Sequence, residues 1–246
     1  MKVRAVFAQA RLETRLLVRS SESLLVTLGI PLGVLVFFSI VPVLPTGDVD
    51  AVTFLVPGVL GLSAAATGLV ASAIQTAYER KSGALKLLGA TPLGRGGFVV
   101  AKLASVLAVL LVQFGLVVGL ALSVLGWRPA SGVSGVGRAA VVMLLAGFVM
   151  ASLGLWLAGT LTAELTTAVT NALFLGLLLV GGVAVSSDVL PDAMAAVGNA
   201  SPLGAAVGAL RSVLDSTTGG VLAVGALAAW GGLGTALAVR TFRWEP

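Results

Sequence analysis

Residues 51–78 read AVTFLVPGVLGLSAAATGLVASAIQTAY and contain no Asp, Glu, Lys or Arg. An α-helix rises about 1.5 Å per residue, so roughly 20 apolar residues cross the ~30 Å hydrocarbon core of a bilayer. The stretch is longer than that, whereas a buried helix of a soluble protein more often has about 10–14 residues. It therefore predicts a transmembrane helix rather than the core of a soluble domain.

The same absence of charge recurs in five more windows of the chain. They are residues 23–47, 103–127, 139–163, 165–187 and 216–239. Each is long enough to span a bilayer as a helix, and none has the short alternating pattern of a barrel strand. We therefore expect an all-α integral membrane protein with six transmembrane helices. Gly115 and Gly119 form a small-residue motif, for which packing within the subunit is favoured over a dimer seam.

The overall composition excludes several other classes of protein. Of the 246 residues, 58% are hydrophobic and 10% are charged, and the mean hydropathy is +1.09. A soluble domain has roughly a quarter of its residues charged, and a disordered chain is far less hydrophobic. The sequence has no Cys and no His, which excludes disulfides, Cys/His metal sites and histidine acid–base chemistry.

The basic residues predict the orientation of the chain. With six crossings, all but three of the 15 Lys and Arg residues fall on the side of both termini, the exceptions being Arg128, Arg138 and Arg211. The positive-inside rule then makes both termini cytoplasmic in a multi-pass protein of the cell membrane. The polar lead before Leu24 is too long for a signal peptide, and no A-x-A site follows the first window, so we expect no cleaved leader.

Residues 1–22 predict a helix that lies on the cytoplasmic membrane surface. At 100° per residue, four arginines fall within one narrow arc, and apolar side chains cluster elsewhere on the helical wheel. These are Arg4, Arg11, Arg15 and Arg19, and Val3, Val6, Phe7, Ala10 and Leu17. Glu13 lies away from the arginines, where either a protein contact or solvent could receive it. The six-helix domain then covers residues 23–240, and residues 241–246 form a cytoplasmic tail.

The cytoplasmic loop between the second and third windows is short and charged. Residues 78–95 read YERKSGALKLLGATPLGR. An amphipathic stretch extends through Leu88, and Pro92 stops any helix because the residue before a proline avoids the α region. The composition alone fits either a solvated loop or a short element that docks on a cytoplasmic protein.

Three segments carry motifs in register with one known family. The loop contributes Glu79, Arg80, Gly83, Leu85, Leu88, Ala90, Thr91, Pro92 and Arg95. The others are residues 19–25 with Pro31, and Leu190-Pro191-Asp192, Ser201-Pro202-Leu203 and Ala209-Leu210-Arg211. Together they resemble the membrane subunits of ABC-2 type ATP-binding-cassette exporters, a family of multidrug, lipid and polysaccharide exporters. Ser201 is a departure, since the family often has Asn there.

The resemblance implies a permease subunit of an ATP-driven exporter. Residues 78–95 would contain a coupling helix that docks on a cytoplasmic ATPase, and residues 186–218 would form short extracellular helices. The residues implied to contact the ATPase are Glu79, Arg80, Lys81, Gly83, Leu85 and Leu88. The cargo would be a lipophilic drug, lipid or glycan, which connects the chain with efflux and antibiotic resistance.

The resemblance also implies the partners. Two permease copies, identical or related, would pair with two ATPases, which would bind ATP and Mg. The chain itself would hold no cofactor and no metal, would contact membrane lipids, and would bind no nucleic acid. It has no P-loop, because that motif needs a Gly-Lys pair and no lysine here follows a glycine.

The windows offer few polar groups for a transport pathway. No acidic residue lies inside them, so a proton relay is not predicted. Thr166, Thr170 and Asn171 lie near the start of the fifth window and either line a pathway or bond between helices, with interhelix bonding the commoner outcome. Gln75 and Gln113 are interpreted in the same way.

Other functions stay open at this level. A secondary carrier or channel would work without ATP, but neither an intramembrane ion-coupling carboxylate nor an inverted repeat is evident. A membrane enzyme is disfavoured because no acidic or histidine cluster lies near one interface. A non-transporting scaffold stays open, as does the identity of the cargo.

Overall fold

The computed structural model describes residues 2–19, 25–41, 50–89, 91, 93–183, 190–216 and 220–243. Within these ranges every regular element is a helix, which confirms the all-α expectation. The elements are α1 (Lys2–Arg19), α2 (a π-helical turn Leu25–Gly29, then Ile30–Ile40), α3 (Ala51–Lys81), α4 (Ala84–Gly89), α5 (Gly94–Ser123), α6 (Gly132–Thr160), α7 (Ala163–Val180), α8 (Asp192–Ala200), α9 (Pro202–Leu214) and α10 (Gly220–Thr241).

Five of the helices are long and apolar enough to cross a membrane, namely α3, α5, α6, α7 and α10. They correspond to five of the six predicted windows. The first window is described over residues 25–41 only, where residues 25–40 form a shorter apolar helix, and its remaining residues lie outside the described ranges. The pair α8 and α9, bent by 83°, would count as a sixth span by length and composition.

Helix α3 is the centre of the fold. In its most apolar stretch 89% of the residues are buried, against 17% in α7 and in α10. Asp50 begins the helix, because its carboxylate accepts a hydrogen bond from the Thr53 amide at 3.2 Å. The helix runs on through Pro57 and through a π-helical segment, Ala65–Ala71, and it packs against α2, α5, α6 and α9.

Small residues bring the backbones of α3 and α6 together. A Cβ added at Gly154 would lie 2.9 Å from the Gly68 carbonyl oxygen, and one added at Gly68 would lie 2.7 Å from the Met150 Cβ. Such proximity is how helices associate in lipid, where packing rather than the hydrophobic effect holds them. By contrast, a Cβ added at Gly115 or Gly119 would meet nothing within 4 Å among the described residues, and both glycines are exposed. Within the described part of the chain this pair therefore does not pack against another helix, contrary to the expectation.

The end of the bundle that carries α8 and α9 is held by polar contacts. Ser201 caps α9 by accepting a hydrogen bond from the Gly204 amide at 3.0 Å, so it does the capping work that an Asn would do. Arg211 donates to the Gly182 carbonyl at 2.6 Å and lies 4.3 Å over the Phe54 ring. The Trp230 indole donates to the Ala200 carbonyl at 2.8 Å.

Substituting Gly154 with Ala should destabilise the fold. The added Cβ would press on two backbone carbonyls of α3, and overpacking of this kind typically costs about 1–3 kcal/mol. The measurement is the temperature at which the purified chain loses its monodisperse peak in detergent. Gly119→Ala is the matched control, because its Cβ meets open space. An equal midpoint for both variants would contradict the close packing.

Candidate functional site at the basic end

The last turn of α3 lies at one end of the bundle, here called the basic end. The basic end also holds α1, α4, the α6–α7 turn and the last residues of α10. The consecutive residues Glu79, Arg80 and Lys81 each bond to a different neighbour there. This places the two termini of the described chain and the 78–95 loop on one side, as the charge distribution predicted.

Glu79 belongs to a buried cluster with Lys102 of α5 and Glu13 of α1. The Lys102 ammonium lies 2.6 Å from Glu13 Oε2 and 2.9 Å from both carboxylate oxygens of Glu79. The side chains of Lys102 and Glu13 are each 1% exposed, and that of Glu79 is 16% exposed. Three elements that are distant in sequence thus meet at one cation, which we call the Lys102 cluster.

Two glutamines complete the hydrogen bonding of the Lys102 cluster. Gln75 Nε2 donates to Glu13 at 2.9 Å and to Glu79 at 2.8 Å, and Gln9 Nε2 donates to the second oxygen of Glu13 at 2.7 Å. All four carboxylate oxygens therefore accept at least one hydrogen bond. Full satisfaction matters because buried charge is costly unless it is both paired and hydrogen-bonded.

Arg80 and Lys81 tie the same turn of α3 to α6 and α7. Arg80 is buried, with 6% of the residue exposed, and its guanidinium donates to the Leu161 carbonyl in the α6–α7 turn. Lys81 forms an exposed ion pair with Glu164 in the first turn of α7. The end of α10 joins them, since the Arg243 amide donates to the Gly159 carbonyl at 2.9 Å.

Ser82 and Gly83 form a two-residue turn that joins residues 79–81 of α3 to α4. Gly83 has a φ of +77°, a left-handed conformation that glycine adopts without strain, and its amide donates to the Arg80 carbonyl at 3.0 Å. The Leu85 side chain is fully buried where α4 packs on α3 and α5. On the other side of α4, Leu87 is 74% exposed. Helix α4 is therefore packed against the bundle on one side and exposed on the other.

A cavity of about 920 Å³ opens beside the Lys102 cluster. Its walls come from α1, α2, α3 and α7, and it includes Gln75, Glu79 and Asn171. The Gln75 Oε1 atom is buried and has no hydrogen-bond partner among the described residues. The space is mostly apolar, with carboxylate and amide oxygens at one end.

A second polar contact lies deeper in the bundle. Gln113 of α5 donates to the Thr27 carbonyl at 2.8 Å and to the Thr67 hydroxyl at 2.9 Å. Both partners lie in π-helical segments, where widened turns release carbonyl groups from the regular α-helical pattern. Gln75 and Gln113 thus both bond between helices, and Gln75 also lines the cavity.

The sequence matches the model of one known protein family. A family model described as ABC-2 type transporter matches residues 4–214. This chain belongs to the ABC-2 type transporter family. The match runs from α1 through α9, so it includes the Lys102 cluster and α4. Among curated proteins, none gives a significant match. The chain is therefore a multi-pass membrane protein and a transmembrane permease component of an ABC transporter.

The six predicted ATPase-contact residues fall into three groups by their exposure. Glu79, Arg80 and Leu85 are turned inward and engaged within the chain, whereas Lys81 is exposed. Gly83 and Leu88 lie between these extremes. Sequence reasoning missed Lys102, whose position directly before the charge-free window at residue 103 was the only signal for it.

The three predicted pathway residues also differ in their exposure. Thr166 and Thr170 are fully buried, and each donates to a backbone carbonyl one turn earlier in α7, at 2.8 Å and 2.7 Å. Both hydrogen bonds stay within α7 and its N-cap and do not join two helices. Asn171 is exposed and lines the cavity, together with Thr167.

Helix α1 lies within the residues for which the sequence predicted a helix, and its contacts show that Glu13 bonds within the protein. Arg4, Arg11 and Arg15 are exposed, and Glu13 contacts α3 and α5 rather than solvent. The apolar side chains of α1 differ in exposure: Leu17 is buried, whereas Phe7 is 72% exposed. The side chain of Arg19 lies outside the described set.

Replacing Lys102 with Met should strongly destabilise the permease. Two carboxylates would remain buried without a cation, and removing one partner of a buried pair typically costs about 3–5 kcal/mol. Thermal unfolding in detergent measures the loss.

The triple variant E13Q/E79Q/K102M provides the control, since it removes the buried charges together and should recover most of the midpoint. If K102M melts like the wild type, then the Lys102 cluster does not hold the basic end together.

Proposed function

We propose that this chain is the membrane half of an ATP-driven exporter whose energy comes from a separate cytoplasmic ATPase. The observation that supports the proposal is the set of polar contacts made by residues 79–81. These residues connect α4 to α1, α5, α6 and α7 through buried or paired polar groups. A force applied to α4 would therefore reach most of the bundle.

The proposed contact with the ATPase is the outer side of α4. Leu87 is a large apolar side chain exposed at the tip, and Lys86 beside it is also exposed. An exposed apolar anchor within a charged surround is a pattern of protein–protein contacts. In this arrangement Lys81 flanks the docking surface, whereas Glu79, Arg80 and Leu85 transmit its movement rather than touch the partner.

The basic end faces the cytoplasm in this proposal. It carries the exposed arginines of α1 together with Lys81, Lys86, Arg240 and Arg243, while the opposite end holds Asp50, Asp192 and Asp215. The positive-inside rule then orients the permease in the cell membrane with both termini inside. An ATPase that binds ATP and Mg would reach α4 from this side.

A second permease copy, identical or related, completes the proposed pathway. The exposed amide of Asn171 lies on α7, whose Leu165, Leu175 and Leu179 are also exposed. An amide facing hydrocarbon is costly, so a second subunit or a cargo molecule would be expected to cover it. The largely apolar cavity beside it suits a lipophilic drug or a lipid as the cargo, with a glycan as the third candidate.

Leu87→Asp should abolish the association with the ATPase. A carboxylate at the centre of an apolar contact leaves a desolvated charge, and loss of a central anchor typically costs 2 kcal/mol or more, roughly a 30-fold loss of affinity. The measurement is co-purification of the permease with the ATPase from its native membrane, followed by substrate-stimulated ATP hydrolysis.

Val133→Asp is the matched control, because Val133 is 90% exposed but lies at the opposite end of the bundle. It should leave co-purification unchanged. Ion-gradient-driven flux by the permease alone in ATP-free liposomes would instead establish a secondary carrier and refute the proposal.

A further inference from the structure

A groove of about 570 Å³ runs along the outer surface of the bundle between α6 and α10. On α10 its lining residues follow helical spacing and form one face, which includes Ala228, Gly232 and Val239. Phe148 of α6 contributes to the floor and is shared with an adjoining cavity of about 370 Å³ that reaches α5. A Cβ added at Gly232 would meet nothing within 4 Å, so glycine keeps the groove open there.

Two polar groups stand out against these apolar walls. Arg240 lies at the basic end of the groove, is exposed, and forms no ion pair among the described residues. Thr235 also lines the groove, and its buried hydroxyl has no hydrogen-bond partner in the described part of the chain. By contrast, the hydroxyl of Thr241, six residues further along α10, donates a hydrogen bond to the Leu237 carbonyl at 2.7 Å. The Thr235 oxygen has almost no accessible surface, so it is not a contact for a ligand in the groove.

The length of the groove matches one leaflet of a membrane. From Arg240 to Ala228 the groove follows the axis for roughly 18 Å, slightly more than one leaflet of a ~30 Å hydrocarbon core. An exposed cation at one end of the groove and an apolar channel beyond it correspond to the phosphate and the acyl chain of a lipid.

We propose that this groove is a binding site for an anionic phospholipid of the cytoplasmic leaflet. The Arg240 guanidinium binds the phosphate, and one acyl chain covers the apolar face up to Ala228. Guanidinium groups bind phosphate well because of their planar fork of donors. The choice of leaflet rests on the orientation proposed above, since anionic lipids enrich the cytoplasmic side. The binding itself does not depend on transport.

Native mass spectrometry of the full chain in detergent tests the site. Purified, delipidated protein is titrated with phosphatidylglycerol or with phosphatidylcholine of the same acyl chains. We expect phosphatidylglycerol to bind more tightly to the wild type and Arg240→Gln to weaken it about tenfold. Arg128→Gln, an exposed arginine at the opposite end, should leave binding unchanged.

A matched pair of groove variants separates binding from folding. Gly232→Leu fills the groove and should abolish the tight adduct, whereas Gly225→Leu adds the same side chain to α10 outside the groove and should not. Both should melt as the wild type does without lipid. Equal affinity for the two lipids, or equal behaviour of the two leucine variants, would overturn the site. So would conversion of a dimer to a monomer by Gly232→Leu alone, because the groove would then be covered by a second copy. Failure of either kind leaves the ATPase contact at α4 untouched.

Discussion

The ammonium of Lys102, held between two buried carboxylates, is the constraint on which the basic end of this permease depends. Two acids and one base removed from water are tolerable only if nearly every donor and acceptor is met, and Gln9 and Gln75 meet them. Because each member comes from a different helix, the positions of α1, α3 and α5 are fixed together. Helix α4 follows directly, since only Ser82 and Gly83 separate it from α3.

Elsewhere the bundle is held by a different kind of contact. The α3–α6 seam has almost no polar bonding and relies on Gly68 and Gly154, where the backbones touch. Lipid tails are as apolar as the helices, so close packing supplies the attraction that the hydrophobic effect supplies in water. The fold therefore combines an apolar central seam with polar fastenings at its two ends, the Lys102 cluster at one and Arg211 at the other.

The sequence was sufficient for the large features because these follow from simple physical limits. Windows without charge predict helices, and the arginines of α1 predict its exposed face. The partners of Glu13, in contrast, could not be predicted, because a wheel shows which side a residue faces but not which element packs there. The close packing predicted for Gly115 and Gly119 failed for the same reason, since the motif does not specify its partner. The first window illustrates a further limit, because charge-free length does not reveal where a helix ends.

The π-helical segment of α3 gives this central helix two mechanically distinct halves. Over Ala65–Ala71 the backbone bonds follow a wider turn than in the rest of the helix, and the Thr67 side chain bonds across to α5. The half beyond it carries Gln75 and residues 79–81, while the half before it packs on α9. A twist imposed at the half that carries residues 79–81 can be absorbed at the wide turn before it reaches the half that packs on α9. The two ends of α3 are therefore not obliged to move together as one rigid rod.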